Sequence, residues 1–300
     1  MRGPLFTIVS PCLNRVAFID TAVRSVLAQG REDVEHLVID GGSSDGTLEK
    51  LRDFAGLRVA SERDGGMYEA LNRGLALAGG EIIGFLNSDD RYAPGALDAV
   101  AVAFANREVC AVGGVAIFED LRGAARVEVA RFRPDSAPLL EHATLGAPAF
   151  NAWFFRRGVF ERVGAFDARM RIAGDRDFML RFALSGLPYT CIDAPVYHYL
   201  RHPGSLTFAP GGRGLERVVN EHLAMSDRQL ARADLSPGAR VLITRLRTRE
   251  TLELAARSLR RGEYREFLRS AAAGTRRDGL WPLRLARRAL GAALRGDRAG

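Results

Sequence analysis

Four short apolar runs, each followed by a stretch of helical periodicity or a turn, restrict the possible folds more than any other feature of this chain. Residues 6–10 (FTIVS) precede helical spacing at Phe18, Ala22 and Val26, with Ile19 and Val23 beside them. Val34–Asp40 (VEHLVID) precedes a helix over 47–54, residues 57–61 precede one over 67–77, and residues 82–86 form a fourth run. Strands separated by helices of this length cannot pair as simple hairpins. They predict a parallel, doubly wound sheet with right-handed crossovers, in which ligands bind beyond the carboxyl ends of the strands. Asp40, then Arg63 and Asp64, then Asn87, Ser88, Asp89 and Asp90 stand at three successive strand ends. Solvation alone would scatter charge over helix faces, so this rim is expected to be functional.

The fourth run, GEIIGFLNSDD over 80–90, delivers two adjacent carboxylates to the sheet edge. Carboxylate oxygens suit Mg²⁺ or Mn²⁺, which take one or two protein carboxylates and complete their shell with water and phosphate. An N-cap for the helix after Pro94 explains the same acids, and the residues alone leave both readings open. Asp40 is the last residue of its strand, has no helix of its own to cap, and could accept a hydrogen bond from a nucleobase N–H. The following glycines permit a tight turn, while Ser43, Ser44 and Asp45 suit turn and capping roles.

Four segments, FTIVSPCLN, LVIDGGSSDGT, ERDGGMYEALNRGLALAGGEIIGFLNSDD and GAFDARMRIAGDRDFMLRFALSG, resemble in order and spacing the blocks of family 2 glycosyltransferases of the GT-A fold, over about residues 6–186. The resemblance implies metal-dependent, inverting transfer of a sugar from a nucleoside diphosphate. It implies that Asp40 meets the base, that Asp64 and Asn72 lie near the nucleoside, and that Asp89 binds the ion bridging the diphosphate. Pro11, Asn14, Gly66, Asn87 and Ser88 fall on the donor side by the same matching, with Asp90 a supporting or capping acid. Asp175 matches the general base. Two positions depart from the family's pattern: Asn87 replaces the first Asp of the acidic motif, and Gly41 stands where a second Asp is common.

Further residues follow from local chemistry. Gly65 and Gly66 open a helix whose free N–H groups could meet an anion, and they equally suit a plain turn. Asn72 is unfavoured in mid-helix, which points to a donor contact. Asp175 and Asp177 open another amphipathic helix, where Asp177 suits the first turn and its dipole. An inverting displacement needs a base remote from the metal acids, and Asp175 meets that requirement. Arg181 could pair with Asp175 or with phosphate. His198 alternates with aromatics and is expected to be structural, whereas His202, with Arg201 and Ser205, could reach the diphosphate. The strand near 110–118 is expected to be antiparallel or peripheral, residues 119–150 are expected to be irregular and to lie on the acceptor side, and an acceptor contact by Phe150 and Asn151 is in doubt.

The chain's net charge of +7 arises at its end. Residues 237–300 hold 16 of the 43 basic and 6 of the 36 acidic residues, leaving 27 against 30 in the first 236. A nucleic-acid partner is therefore not supported. Cys12, Cys110 and Cys191 have no ligand or disulfide spacing, and a reducing cytoplasm follows. The expected organisation is an α/β, GT-A type, doubly wound mixed and mainly parallel sheet over 1–236, with a donor half at 1–119 and an acceptor half at 120–236. A basic helical extension occupies 237–300. Its last segment, 281–295, combines Trp281 with an arginine arc and a leucine-alanine face, which suits either an in-plane membrane helix or docking on protein. The expected reaction joins a sugar, with UDP-sugar as the leading donor, to a hydroxyl of a lipid-linked saccharide or glycolipid in cell-surface polysaccharide biosynthesis. The expected location is the cytoplasm or the inner face of the plasma membrane. The rival readings are a sugar-1-phosphate nucleotidyltransferase and a non-catalytic sugar-nucleotide-binding protein.

Overall fold

The computed structural model describes residues 3–123, 125–202, 204 and 213–275. The first part alternates as expected: β1 (Phe6–Cys12), α1 (Ile19–Leu27), β2 (Val34–Asp40), α2 (Thr47–Leu51), β3 (Arg58–Ser61), α3 (Met67–Leu77) and β4 (Ile82–Phe85). Then come β5 (Arg91–Tyr92), α4 (Ala96–Ala103), β6 (Ala111–Arg122), β7 (Ala125–Phe132), α5 (Leu139–Thr144), β8 (Trp153–Arg156), α6 (Gly158–Val163), α7 (Gly174–Leu184) and β9 (Tyr189–Arg201). Three helices follow, α8 (Arg213–Leu230), α9 (Pro237–Arg260) and α10 (Tyr264–Thr275).

The sheet order is β3-β2-β1-β4-β8-β6-β9-β5, with β7 paired to β6. β3, β2, β1 and β4 are mutually parallel, with Cys12 opposite Asp40 and Asp40 opposite Ser61. Their carboxyl ends therefore lie side by side. β1 is buried along its whole length, as an inner parallel strand covered on both faces must be. β8 runs antiparallel to β4 and β6, and β9 runs parallel to β6 and antiparallel to β5. The GT-A type α/β architecture is thus present, with its parallel half formed by the first four strands.

Three expectations are corrected. β6 is antiparallel to β7 and β8, one of the two placements expected, but it is not peripheral, lying between β8 and β9. Residues 119–150 are not irregular throughout, because Ala125–Phe132 folds back on β6 as a hairpin, with Glu128 and Arg131 exposed and Arg126 half-buried toward Glu119, and α5 follows. The chain divides into compact units Met1–Ala209 and Pro210–Gly300, rather than after residue 236. Helix α8 belongs with the second unit, where Asp227 pairs with Arg247 at 2.5 Å and His222 lies 3.3 Å from Glu250. Among the described residues no helix is long and apolar enough to cross a membrane. The segment 281–295 and Ser205 lie outside the described residues.

Candidate active site

The loop after β2 is organised by Asp40, whose side chain is buried. Its Oδ2 accepts the backbone N–H groups of Gly42 (2.9 Å) and Ser43 (3.0 Å) and the Ser61 hydroxyl (2.7 Å), and the Ser43 hydroxyl donates to Oδ1. Burial pushes this carboxyl up, but the hydroxyls and N–H groups outweigh it and hold it below the usual carboxylate value. Asp40 thus ties its own turn to β3. Asn14, in left-handed backbone at φ 54°, accepts the Ser44 N–H at 2.9 Å and donates its own N–H to the Ser43 hydroxyl at 2.8 Å. Asp45 accepts from Val16 and Thr47, in the structural role expected of it. Pro11 is buried in β1 opposite Ile39.

Beside this loop lies Asp64, raised by burial. A Cβ on Gly41 would stand 3.0 Å from its Oδ2, which accounts for the first departure from the family pattern: an acid at 41 would press two carboxylates together. The Gly66 N–H donates to Asp64 at 2.9 Å, and the Gly65 N–H donates to Glu69 at 2.9 Å. Asn72 has a different task from the one expected. Its amide donates to the Phe166 carbonyl and accepts the Phe166 N–H, both at 2.9 Å, so a mid-helix Asn clips α3 to the loop before α7.

The turn after β4 holds the acids. Asp89 is 16 % exposed and its Oδ2 lies 2.9 Å from Nε2 of His202, whose ring stacks on Phe18 at 4.6 Å. His202 thus meets the metal-motif acid itself. Asp90 is buried, with Tyr197 donating to its Oδ2 at 2.8 Å, the Leu200 N–H donating to its Oδ1 at 2.7 Å, and the Asn87 amide donating to Oδ2 at 3.1 Å. Burial first, and the Asp89 charge second, raise the Asp90 carboxyl. This explains the second departure: an amide at 87 donates to Asp90, where a carboxylate would add a third negative group. Ser88 is buried beside the Cys12 thiol, which burial pushes up to about 12. His198 lies 2.9 Å from Glu119, itself paired with Arg91, and is structural.

The second acidic centre is the N-terminus of α7. Asp175 accepts the Arg176 N–H at 2.7 Å and lies 3.3 Å from the Tyr68 hydroxyl, which donates to the Ile172 carbonyl at 2.6 Å. A Cβ on Gly174 would come within 2.8 Å of the Tyr68 ring, so glycine lets α7 approach α3 this closely. The Tyr199 hydroxyl accepts the Asn151 N–H at 2.9 Å and is raised by burial, then by Asp90 and less strongly by Asp175. Arg181 does not serve Asp175 or a phosphate. It pairs with buried Asp177 at 2.8 Å and donates to the carbonyls of Val163, Gly164 and Ala165, closing the end of α6.

Sequence reasoning missed Tyr68, Tyr197 and the structural use of Asn151, whose amide donates to the Tyr197 hydroxyl at 3.2 Å. All three are indistinguishable from core residues in a linear pattern. Among the described residues no group of three or more His, Cys, Asp or Glu side chains gathers as a metal cage. Asp89 supplies a hard carboxylate that suits Mn²⁺ or Mg²⁺ with diphosphate and water filling the remaining positions, and the His202 imidazole beside it favours the transition ion Mn²⁺ of the two.

The glycosyl transferase family 2 profile matches residues 7–164. The chain belongs to this family and is a glycosyltransferase. It is 32 % identical over 188 residues to a PGL/p-HBAD biosynthesis glycosyltransferase of Mycobacterium bovis, covering 60 % of this chain and 70 % of the relative. To the glycosyltransferase EpsJ of Bacillus subtilis it is 29 % identical, over 73 % of this chain and 67 % of that one. The mannosyltransferase PcManGT of Pyrobaculum calidifontis, solved with GDP-Man and Mn2+, superposes with a TM-score of 0.59 at 21 % identity, over 98 % of this chain and 81 % of that one. S. aureus TarS 1-349 with UDP-GlcNAc gives a TM-score of 0.60 at 18 % identity, over 92 % and 74 %. The chain spans 42 % of the longer TarS structure. These structures share its fold, and the nucleotidyltransferase alternative gives way to the family match.

Proposed function

We propose that this glycosyltransferase is metal-dependent and inverting, and that it moves a sugar from a nucleoside diphosphate, with UDP as the leading nucleotide, to a hydroxyl of a lipid-linked saccharide or glycolipid acceptor. The observation that carries the reading is the pair of acidic centres on separate elements, Asp89 in the turn after β4, where it meets His202, and Asp175 at the start of α7, beside the Tyr68 hydroxyl. Inversion requires a base on the opposite face from the leaving group, and one helix cannot supply both. Asp175 takes the proton of the acceptor hydroxyl, the acceptor oxygen bonds to the anomeric carbon, and the bond from that carbon to the diphosphate oxygen breaks with its electron pair leaving on the diphosphate. Asp89 and His202 hold the divalent ion, which when bound neutralises charge on the departing diphosphate. Asp64 and Asp40 border the nucleoside side. Support for a nucleotide-sugar donor comes from TarS and PcManGT, solved with UDP-GlcNAc and GDP-Man.

The deciding experiment is Asp175→Asn. Transfer should fall about 10²–10⁴-fold, the usual cost of losing a general base, while Mn²⁺-dependent nucleotide binding by calorimetry stays at the wild-type value. Surviving transfer, or loss of both properties, would sink the assignment.

A further inference from the structure

We propose that the Tyr197 hydroxyl is the positioning group of the metal centre, fixing the backbone on which both Asp89 and His202 are carried. The inference rests on the proposed metal site. Tyr197 is fully buried on β9. Its oxygen accepts the Asn87 N–H at 3.0 Å and the Asn151 amide at 3.2 Å, and its proton goes to Asp90 at 2.8 Å. A phenol offers one donor and two acceptor positions, so this one is saturated and cannot rotate without breaking a bond. Asn87 and Asp90 are the two ends of the turn that carries Ser88 and Asp89. One oxygen therefore pins both ends of the turn.

The same atoms place the imidazole. The second oxygen of Asp90 takes the Leu200 N–H at 2.7 Å, two residues before His202. Arg201, between them, is held by both oxygens of Asp120 at 2.7 and 2.8 Å. β9 thus reaches Asp89 with its backbone tied to Asp90 and its side chain tied to β6. Groups that orient metal ligands without touching the ion typically contribute 10- to 100-fold in metal affinity, and Tyr197 is built for that role.

Tyr92 provides a matched control. It is equally buried, its ring lies 5.7 Å from that of Tyr197, and its hydroxyl donates to the Phe85 carbonyl at 3.1 Å without touching residues 87–90. The test is Mn²⁺ binding to the full chain, measured from the free-ion paramagnetic signal, with thermal unfolding in parallel. Tyr197→Phe should raise the Mn²⁺ dissociation constant about 10-fold, whereas Tyr92→Phe should lower thermal stability and leave Mn²⁺ binding within about twofold of wild type. Should Tyr197→Phe not fold, Asn151→Ala removes one contact to the same hydroxyl at a distance from the ion and should give a smaller rise in the same direction. Equal shifts in the two tyrosine variants, or unchanged Mn²⁺ affinity in the Tyr197 or Asn151 variant, overturn the positioning role while leaving the metal site standing. Failure of wild type to bind Mn²⁺ overturns both.

Discussion

Asp40 ends β2 and Asp89 lies in the turn after the parallel β4, yet they are stabilised in opposite ways. Asp40 is satisfied from close by, with donors at 42, 43 and 61, and is buried. Asp89 takes its partner, His202, from 113 residues away and keeps part of its carboxylate open. An acid saturated by its own loop shapes the rim. An acid left for a distant, exchangeable partner is available to bind something else.

Removing each acid should separate these roles. Asp89→Ala should produce the largest change, a loss of Mn²⁺ affinity greater than about 100-fold, since even indirect supports of a metal site contribute up to that much. Its unfolding midpoint should barely move. Asp40→Ala should do the reverse and destabilise the fold by about 4 kcal/mol, because four donors lose their acceptor at roughly 1 kcal/mol each. Denaturant unfolding reads this directly, and a D40A protein of wild-type stability would break the comparison.

The smallest effect concerns His36, buried in β2 with Nε2 2.9 Å from the Ser10 hydroxyl. Burial lowers its pKa to about 3, against an ordinary value near 6.5. The neutral ring therefore favours the folded state in full above about pH 6.5, and that contribution is lost as the pH falls from there toward about 3. Between pH 7 and pH 5 wild type should lose about 2 kcal/mol from this group. His36→Gln should flatten the slope in urea melts, and an unchanged slope would assign the acid sensitivity elsewhere.

The same contrast between near and distant partners explains what could be anticipated from the chain alone. β1 to β4, α3 and α7 are encoded in local periodicity, and Asp89 and Asp175 stand in compact local blocks. Asn72 and Arg181 were expected at the substrate because a polar group on a helix does not reveal which backbone it will meet. Here the partners are Phe166 and the end of α6. Tyr68 and Tyr197 were invisible as functional groups because an aromatic in a buried element reads as packing, whatever its hydroxyl does. β7 was missed because its alternation is arginine and glutamate against small apolar residues, a pattern with little hydrophobic contrast. The division at residue 209 depends on α8 packing with α9, a tertiary choice that helical spacing does not encode.

The long reach from Asp89 to His202 also has a consequence for how the protein is made. The parallel strands that carry Asp40 and Asp89 emerge from the ribosome first, and domains fold broadly in the order of synthesis. β9 is the last strand of the sheet, and pairing across so many residues is slow compared with local contacts. The Asp89–His202 pair is thus completed only after β6 to β9 exist. A nascent or truncated chain ending before residue 189 has Asp40 and Asp89 without the imidazole, and so cannot assemble the proposed metal centre.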